Sequence, residues 1–253
     1  MTVVYSFYRV VDGSLIVERL RDHVERALEV FDEDSRLVRY GRRFHQSFLE
    51  LLRYAIVLHD FGKVPFNLAG RPTTFDGHEV LSAWFANEYL RQVEWSGAIE
   101  PIDREIVVLA VLLHHHPMDL RERAKKLVER GLCIDREAVK IFYEELRGML
   151  DPHEIPLEKP VCAKEAIQEV LGSTVHIGLF GESWTDVWMN GGPAVRKAFL
   201  LLAQGVVAAD YRSASLGRRG ESTKFLEAVQ VFLRHYGSAS VRTLEPGAGG
   251  VRS

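Results

Sequence analysis

Imidazole and carboxylate groups recur along the sequence at His23, at the adjacent pair His59 and Asp60, at His78, in the run His114, His115 and His116, and at Asp210. Histidine nitrogens and carboxylate oxygens are metal ligands. A mixed set without thiolate suits Mn²⁺, Fe²⁺, Co²⁺ or Ni²⁺ better than a purely oxygen-seeking ion, with Mg²⁺ still possible. In AIVLHDFGKVPF, residues 55 to 66, the His-Asp pair follows an apolar run. Successive helical residues point about 100° apart, so such a pair serves one centre poorly in mid-helix and well at a helix end. Gly62 and Pro65 stop the helix just beyond it. The competing reading is an exposed helix end with a His-Asp contact.

The other groups are weighed the same way. VLAVLLHHHPMD sets three histidines at the end of a second apolar helix stopped by Pro117, where up to two adjacent imidazoles reach one metal. The alternative is a solvated terminus whose imidazolium complements the helix dipole. His78 opens a helix in FDGHEVLSAWF, and His23 sits near the polar side of the first helix; each alone would be a surface or satisfied histidine. Asp210 lies in LLLAQGVVAADYRSAS, a helix so apolar that a carboxylate there needs a cation or donors to offset its desolvation.

The elements that must position these groups are mainly α-helical. VVYSFYRVV and SLIV flank Asp12-Gly13, the short-range signal for a β-hairpin. Apolar residues then recur at Leu20, Val24, Ala27, Leu28 and Phe31, close to the helical period. Further helices are expected at about 43 to 59, 77 to 92, 102 to 115, 119 to 130, 135 to 149, 162 to 171, 193 to 215 and 221 to 235. Turn chemistry separates them in GKVPFNLAGRPTTFDG, in DPHEIPLEKP and at NGGP, where Pro193 suits a first helical turn. No repeat or domain boundary is visible. Residues 1 to 240 read as one domain with an N-terminal hairpin, and the Gly-rich tail at 241 to 253 as disordered.

Composition narrows the function. A chain of 253 residues with 47% hydrophobic content can bury a sizeable core. No apolar run reaches the roughly 18 residues of a membrane span, and MTVVYSFYRVVDG lacks the regions of a signal peptide, so a soluble, cytoplasmic protein is expected. Cys133 and Cys162 are far apart and read as two incidental thiols. A formal charge of -3 argues against holding nucleic acid by bulk electrostatics. The basic clusters RYGRRFH, RERAKK and LGRRGESTK read as solvated faces before binding patches. His45, His153 and His235 read as surface residues and His176 as a core or edge histidine. Trp184 and Trp188, four apart, read as core, with a base-stacking platform as the sharper alternative.

The order His23, His59-Asp60, His78, His115-His116, Asp210 resembles the HD superfamily of metal-dependent phosphohydrolases. More narrowly, HDFGK, GHEVLSA, the histidine pair, ADYRSAS and the opening YSFYRVVDGSLIVERLRDHVERAL resemble the HD nuclease of type I CRISPR interference, over residues 5 to about 215. No GxxxxGK[ST] loop or helicase-sized extension is present, so the resemblance is to the stand-alone form, which works beside a separately encoded helicase. The family usually follows its histidine pair with glycine. This chain has Pro117 and an additional His114, which leaves the register open between 114-115 and 115-116.

The resemblance implies an HD-domain helical bundle that holds two divalent metal ions sharing one carboxylate, roughly 3.5–4 Å apart. Asp60 is the choice for the shared carboxylate. One metal would take His23, His59, Asp60 and Asp210, and the other Asp60, His78, His115 and His116. Lys63 would hold a phosphate oxygen as a point charge, against the alternative of a solvated loop lysine. The implied activity is metal-dependent hydrolysis of single-stranded DNA, delivered by an RNA-guided interference complex, in antiviral defence. An HD phosphohydrolase acting on nucleotides or cyclic nucleotides uses the same centre and is the alternative. An idle scaffold would have lost a ligand, and every expected position is filled.

Overall fold

In the computed structural model the described residues are 3–11, 14–70, 74–115, 119–171, 182–217 and 224–242. The chain opens with a hairpin of β1 (Tyr5–Val11) and β2 (Ser14–Arg19), antiparallel with Tyr8 opposite Val17 and Val10 opposite Leu15. The register shifts between Tyr5 and Phe7, the irregularity of a bulge. The turn expected at Asp12-Gly13 lies outside the described residues. Asn67 ties the hairpin to the body. Its side-chain amide accepts from the Tyr5 N–H and donates to the Tyr5 carbonyl, both at 3.0 Å, imitating a strand partner.

Helices follow in the order α1 (Leu20–Leu28), α2 (Arg36–Gly41), α3 (Phe48–Leu58), α4 (Lys63–Leu68), α5 (His78–Trp95), α6 (Pro101–Leu112), α7 (Leu120–Arg130), α8 (Arg136–Glu145), α9 (Ala163–Leu171), α10 (Glu182–Trp184), α11 (Pro193–Gly217), α12 (Lys224–Tyr236) and α13 (Ala239–Arg242). A π-helical stretch, Thr185–Asn190, continues α10. The protein is mainly α with a small N-terminal hairpin, as the sequence leads one to expect.

Local chemistry sets the helix ends. Pro101 occupies the start of α6, where Glu100 and Asp103 form a reciprocal capping box. Asp119 accepts from Arg121 and Glu122 N–H groups to start α7, and Asp135 accepts from Ala138 to start α8. Three helices form the centre. The apolar run of α3 packs on α6 and α11, and α11 also lies against α1, α2 and α12. Leu51, Leu52, Ala55, Ile56, Val107, Leu109, Ala110, Leu202, Val206 and Ala209 fill the space between them. α5 runs along α6 and carries α9 on its other side.

The structure departs from expectation at several points, among them the unexpected helical stretches Glu182–Trp184, Thr185–Asn190 and Ala239–Arg242. Residues 60 to 70 do not form one open break: Lys63–Leu68 is a short helix, and Pro65 sits in its first turn, where no N–H is required. The helix expected from 43 starts at Phe48, and residues 36 to 41 form a separate short helix. The cysteines are not incidental thiols. Cys133 and Cys162 face each other across the antiparallel pair β3 (Cys133–Ile134) and β4 (Val161–Cys162) and form a disulfide. Their separation of 29 residues carries no local motif, and only the strand pairing brings them together. Among the described residues no helix is long and apolar enough to cross a membrane. The expected tail beyond residue 242 lies outside the described residues.

Candidate metal centre

The histidines are placed by four different elements. His59 caps the C-terminus of α3, and the chain then turns through Asp60, Phe61 and Gly62 into α4. Gly62 makes this turn possible beside α5. Its N–H donates to Ser82 Oγ at 2.8 Å, and a Cβ there would lie 2.0 Å from the His78 carbonyl oxygen. That contact draws the His59-Asp60 turn against the first residue of α5, which is His78. α6 ends at Leu112, so His114 and His115 stand in the turn after it, with ring centroids 4.1 Å apart. His23 lies within α1 and Asp210 within α11. Ser213, one turn beyond Asp210, donates to the His23 carbonyl at 2.7 Å and ties the two helices together.

Asp60 stands in the middle. Its Oδ1 lies 3.1 Å from His78 Nε2, while its Oδ2 lies 3.5 Å from both His23 Nε2 and His59 Nε2. Asp210 Oδ1 is 3.2 Å from His23 Nε2 and 3.8 Å from His59 Nε2. Two groups result, His23 with His59 and Asp60, and His78 with His114 and His115; within each, potential ligand atoms lie within 4.8 Å of one another. Lys63 Nζ sits 2.7 Å from Asp60 Oδ2. It is buried in α4, which removes the solvated-loop alternative for this lysine.

The protonation pattern follows from the partners. Nδ1 of His59, His78 and His114 each faces a backbone carbonyl three residues earlier, at Ile56, Phe75 and Val111, at 2.6, 2.7 and 2.6 Å. A carbonyl only accepts, so Nδ1 carries a proton, and Nε2 is the ring nitrogen left facing the shared space. Burial and the neighbouring His59 and His78 push His114 down to about 3, and burial with His114 and His78 holds His115 well below the usual range. Burial alone would raise Asp60, yet His59, Lys63, His78 and His23 keep it well below the ordinary carboxylate value. Asp210 is likewise held down by His23 and His59 against its burial. For His23 burial is outweighed by Asp210, Glu18 and Asp60, which lift it to about 9.

These atoms fit a divalent cation. The Nε2 atoms of His23, His59, His78 and His114, the Nδ1 of His115 and the Oδ1 of Asp60 are buried without a hydrogen-bond partner. Each such group costs about 1–3 kcal/mol if left unsatisfied, and together they supply lone pairs to one space. Neutral imidazoles and ionised carboxylates are the forms in which these groups ligate, so His23, lifted to about 9, would release a proton as an ion binds.

The structure thus brings together His23, His59, Asp60, Lys63, His78, His115 and Asp210. His116 lies outside the described residues, and His114 takes a place in the group. Glu18, which sequence reasoning missed, is 3.3 Å from His23 Nδ1. Its signal was faint: on β2 the acid shares the inward parity of Ile16, while Leu15 and Val17 face out. Glu79 was missed too. It is buried, held down against its burial mainly by Arg123, and its Oε1 meets Arg123 Nε at 2.6 Å, while Arg123 also reaches Asp76.

The remaining candidates fall elsewhere. His45 is partly buried and meets Asp103 at 2.6 Å, so it is a paired residue and not a free surface one. His153 packs against Tyr89, and its carbonyl accepts from Tyr143; His235 is exposed, and His176 lies outside the described residues. Trp184 and Trp188 stack at 5.3 Å and pack against the core, with Trp188 edge-on to Phe199, as expected of core residues. A cavity of about 1300 Å³ lined by Tyr54, Tyr89, Tyr143 and Leu157 contains none of the residues of the two histidine groups.

Residues 15–170 match the model of the HD domain family. Among curated proteins, the CRISPR-associated endonuclease Cas3-HD of Thermoproteus tenax is 30% identical over 148 residues, covering 57% of this chain. The matched region spans 56% of that relative, so the likeness covers little more than half of each protein. No solved structure gives a significant match.

Proposed function

The chain belongs to the HD domain family, and we propose that within it the chain is a metal-dependent nuclease that hydrolyses phosphodiester bonds of single-stranded DNA. The observation that carries this reading is the position of Asp60, whose two oxygens face two separate histidine groups. In this reading His23, His59 and Asp210 would hold one divalent ion and His78, His114 and His115 another, with Asp60 available to both. Such ions, when bound, supply a nucleophile at neutral pH and stabilise charge on the phosphate oxygens.

The chain's own residues do the remaining work. Nδ1 bonds to backbone carbonyls fix the rings of His59, His78 and His114, so the ligand atoms are aimed before any ion arrives. Lys63 holds a phosphate oxygen as a point charge, moving from its contact with Asp60. The nitrogen-rich donor set favours Mn²⁺, Fe²⁺, Co²⁺ or Ni²⁺ over Mg²⁺. In this reading the chain acts beside a separate CRISPR helicase and an RNA-guided complex that delivers the strand, a setting supported by its likeness to a CRISPR-associated endonuclease. A chain of net charge -3 needs such delivery, since it lacks the overall positive field that gathers nucleic acid.

The test is cleavage of end-labelled single-stranded DNA by chelator-stripped protein refilled with Mn²⁺, beside Asp60→Ala treated identically. Metal-dependent cutting lost in the variant is expected. Intact DNA with a metal-loaded protein would overturn the nuclease reading and direct attention to nucleotides and cyclic nucleotides.

A further inference from the structure

His23 differs from the other buried imidazoles of the centre. His59, His78 and His114 each sit at or next to a helix end, where a carbonyl three residues back is open to Nδ1. His23 lies inside α1, whose carbonyls are engaged in the helical ladder. The group facing its Nδ1 is the carboxylate of Glu18, with Oε1 at 3.3 Å; this is ion-pair distance, and His23 Nδ1 otherwise has no hydrogen-bond partner.

Glu18 is itself held from three sides. Its side chain is 2% exposed, and Arg26, one turn beyond His23 on α1, forms an ion pair with the same Oε1. Its carbonyl accepts from Ser6 Oγ at 3.4 Å across the hairpin. The end of α11 leaves room for it: at Gly217 a Cβ would lie 2.0 Å from Glu18 Oε1 and 2.8 Å from Arg26 Nη2. The hairpin, the histidine helix and the helix carrying Asp210 therefore converge on one carboxylate. A buried anion in that position is costly unless its partners use it.

We propose that Glu18 is a positioning residue for the metal centre: it accepts the Nδ1 proton of His23 and thereby aims Nε2 at the space shared with Asp60 and Asp210. A carboxylate behind a metal-bound imidazole fixes ring orientation and strengthens the ligand, and loss of such a partner typically costs about 10–100-fold in metal affinity. The N-terminal hairpin gains a function, since β2 carries Glu18 and Asn67 clasps β1 to α4. The inference rests on the metal-centre reading above but not on the identity of the substrate.

The experiment compares Glu18→Gln and Glu18→Met, which match the glutamate in size and differ in whether an acceptor remains. Zn²⁺ titration of chelator-stripped protein gives affinity, and ¹⁵N-edited spectra of the Zn²⁺-loaded protein give the His23 ring signals. Glu18→Met should bind roughly 10–100-fold more weakly and lose the hydrogen-bonded Nδ1 proton signal of His23, with Glu18→Gln recovering most of both. A general loss of packing would move the signals of His59, His78 and His114 as well. Unchanged affinity and an unchanged His23 signal in Glu18→Met would overturn the role of Glu18 while leaving the metal centre standing. Absence of Zn²⁺ binding in the wild-type protein would overturn both.

Discussion

An imidazole whose Nδ1 proton is bound to a backbone carbonyl has one lone pair left, and its direction is fixed by the ring. His59, His78 and His114 share this arrangement, and the carbonyl in each case lies three residues earlier. The histidine run was legible as metal-prone from its types alone, but its register was not. Where α6 unwinds decides which rings turn inward, and that depends on packing around Leu112 and Leu113. The chain leaves the helix at Leu112, which buries His114 completely and puts its ring 5.1 Å from His59 and 5.3 Å from His78. His114→Ala should therefore lower Mn²⁺ or Zn²⁺ affinity by roughly 100-fold or more, exceeding the cost of losing an outer partner. His116→Ala serves as the comparison in the same titration. Equal affinity of His114→Ala and wild type would remove His114 from the ligand set. Asp210 was the opposite case, legible because a carboxylate among Val206, Val207, Ala208 and Ala209 has no bland explanation.

At the scale of elements, the apolar runs of α3, α6 and α11 were readable because burial on nearly all sides leaves an unmistakable composition. α2 and α4 were not, since six residues are too few to show a helical period. The contact between the His59-Asp60 turn and α5 was also invisible, because it depends on the absence of a side chain at Gly62. Gly62→Ala would place a methyl group 2.0 Å from the His78 carbonyl oxygen and force the two elements apart. The expected cost is about 1–3 kcal/mol in urea unfolding, with weaker metal binding because Asp60 and His78 lose their spacing. Wild-type stability in this variant would show that the elements yield without strain.

A second element-scale link has a pH signature. His45, after α2, meets Asp103 in the first turn of α6. The hydrogen bond to Asp103 raises its pKa from the ordinary value of 6.5 and outweighs burial, which lowers it. The folded state then binds this proton more tightly than the unfolded chain. The stabilisation is fully present below pH 6.5 and fades as pH rises through the higher folded value. His45→Gln should flatten the decline of melting temperature above pH 6.5, and the same slope in both proteins would discount the pair.

For the whole molecule, the least legible feature was the covalent one. Two cysteines in a chain read as free of disulfides became partners because α7 and α8 on one side, and α9 on the other, bring β3 and β4 together. The Cys133–Cys162 bond closes a segment that contains all of α8 and joins the start of α9, which packs on α5 behind His78. Chain-entropy reasoning for a separation of 29 residues gives roughly 3–4 kcal/mol of stabilisation through restriction of the unfolded state. Cys133→Ser should lower stability in urea by up to about that amount, and a reductant should do the same to the wild type and nothing further to the variant. Because the bond lies outside the ligand groups, the variant should retain wild-type Zn²⁺ affinity under conditions where it is folded. A wild type insensitive to reductant would mean that the bond does not form in solution. Loss of metal affinity in a folded Cys133→Ser protein would instead show that α9 transmits its position through α5 to His78.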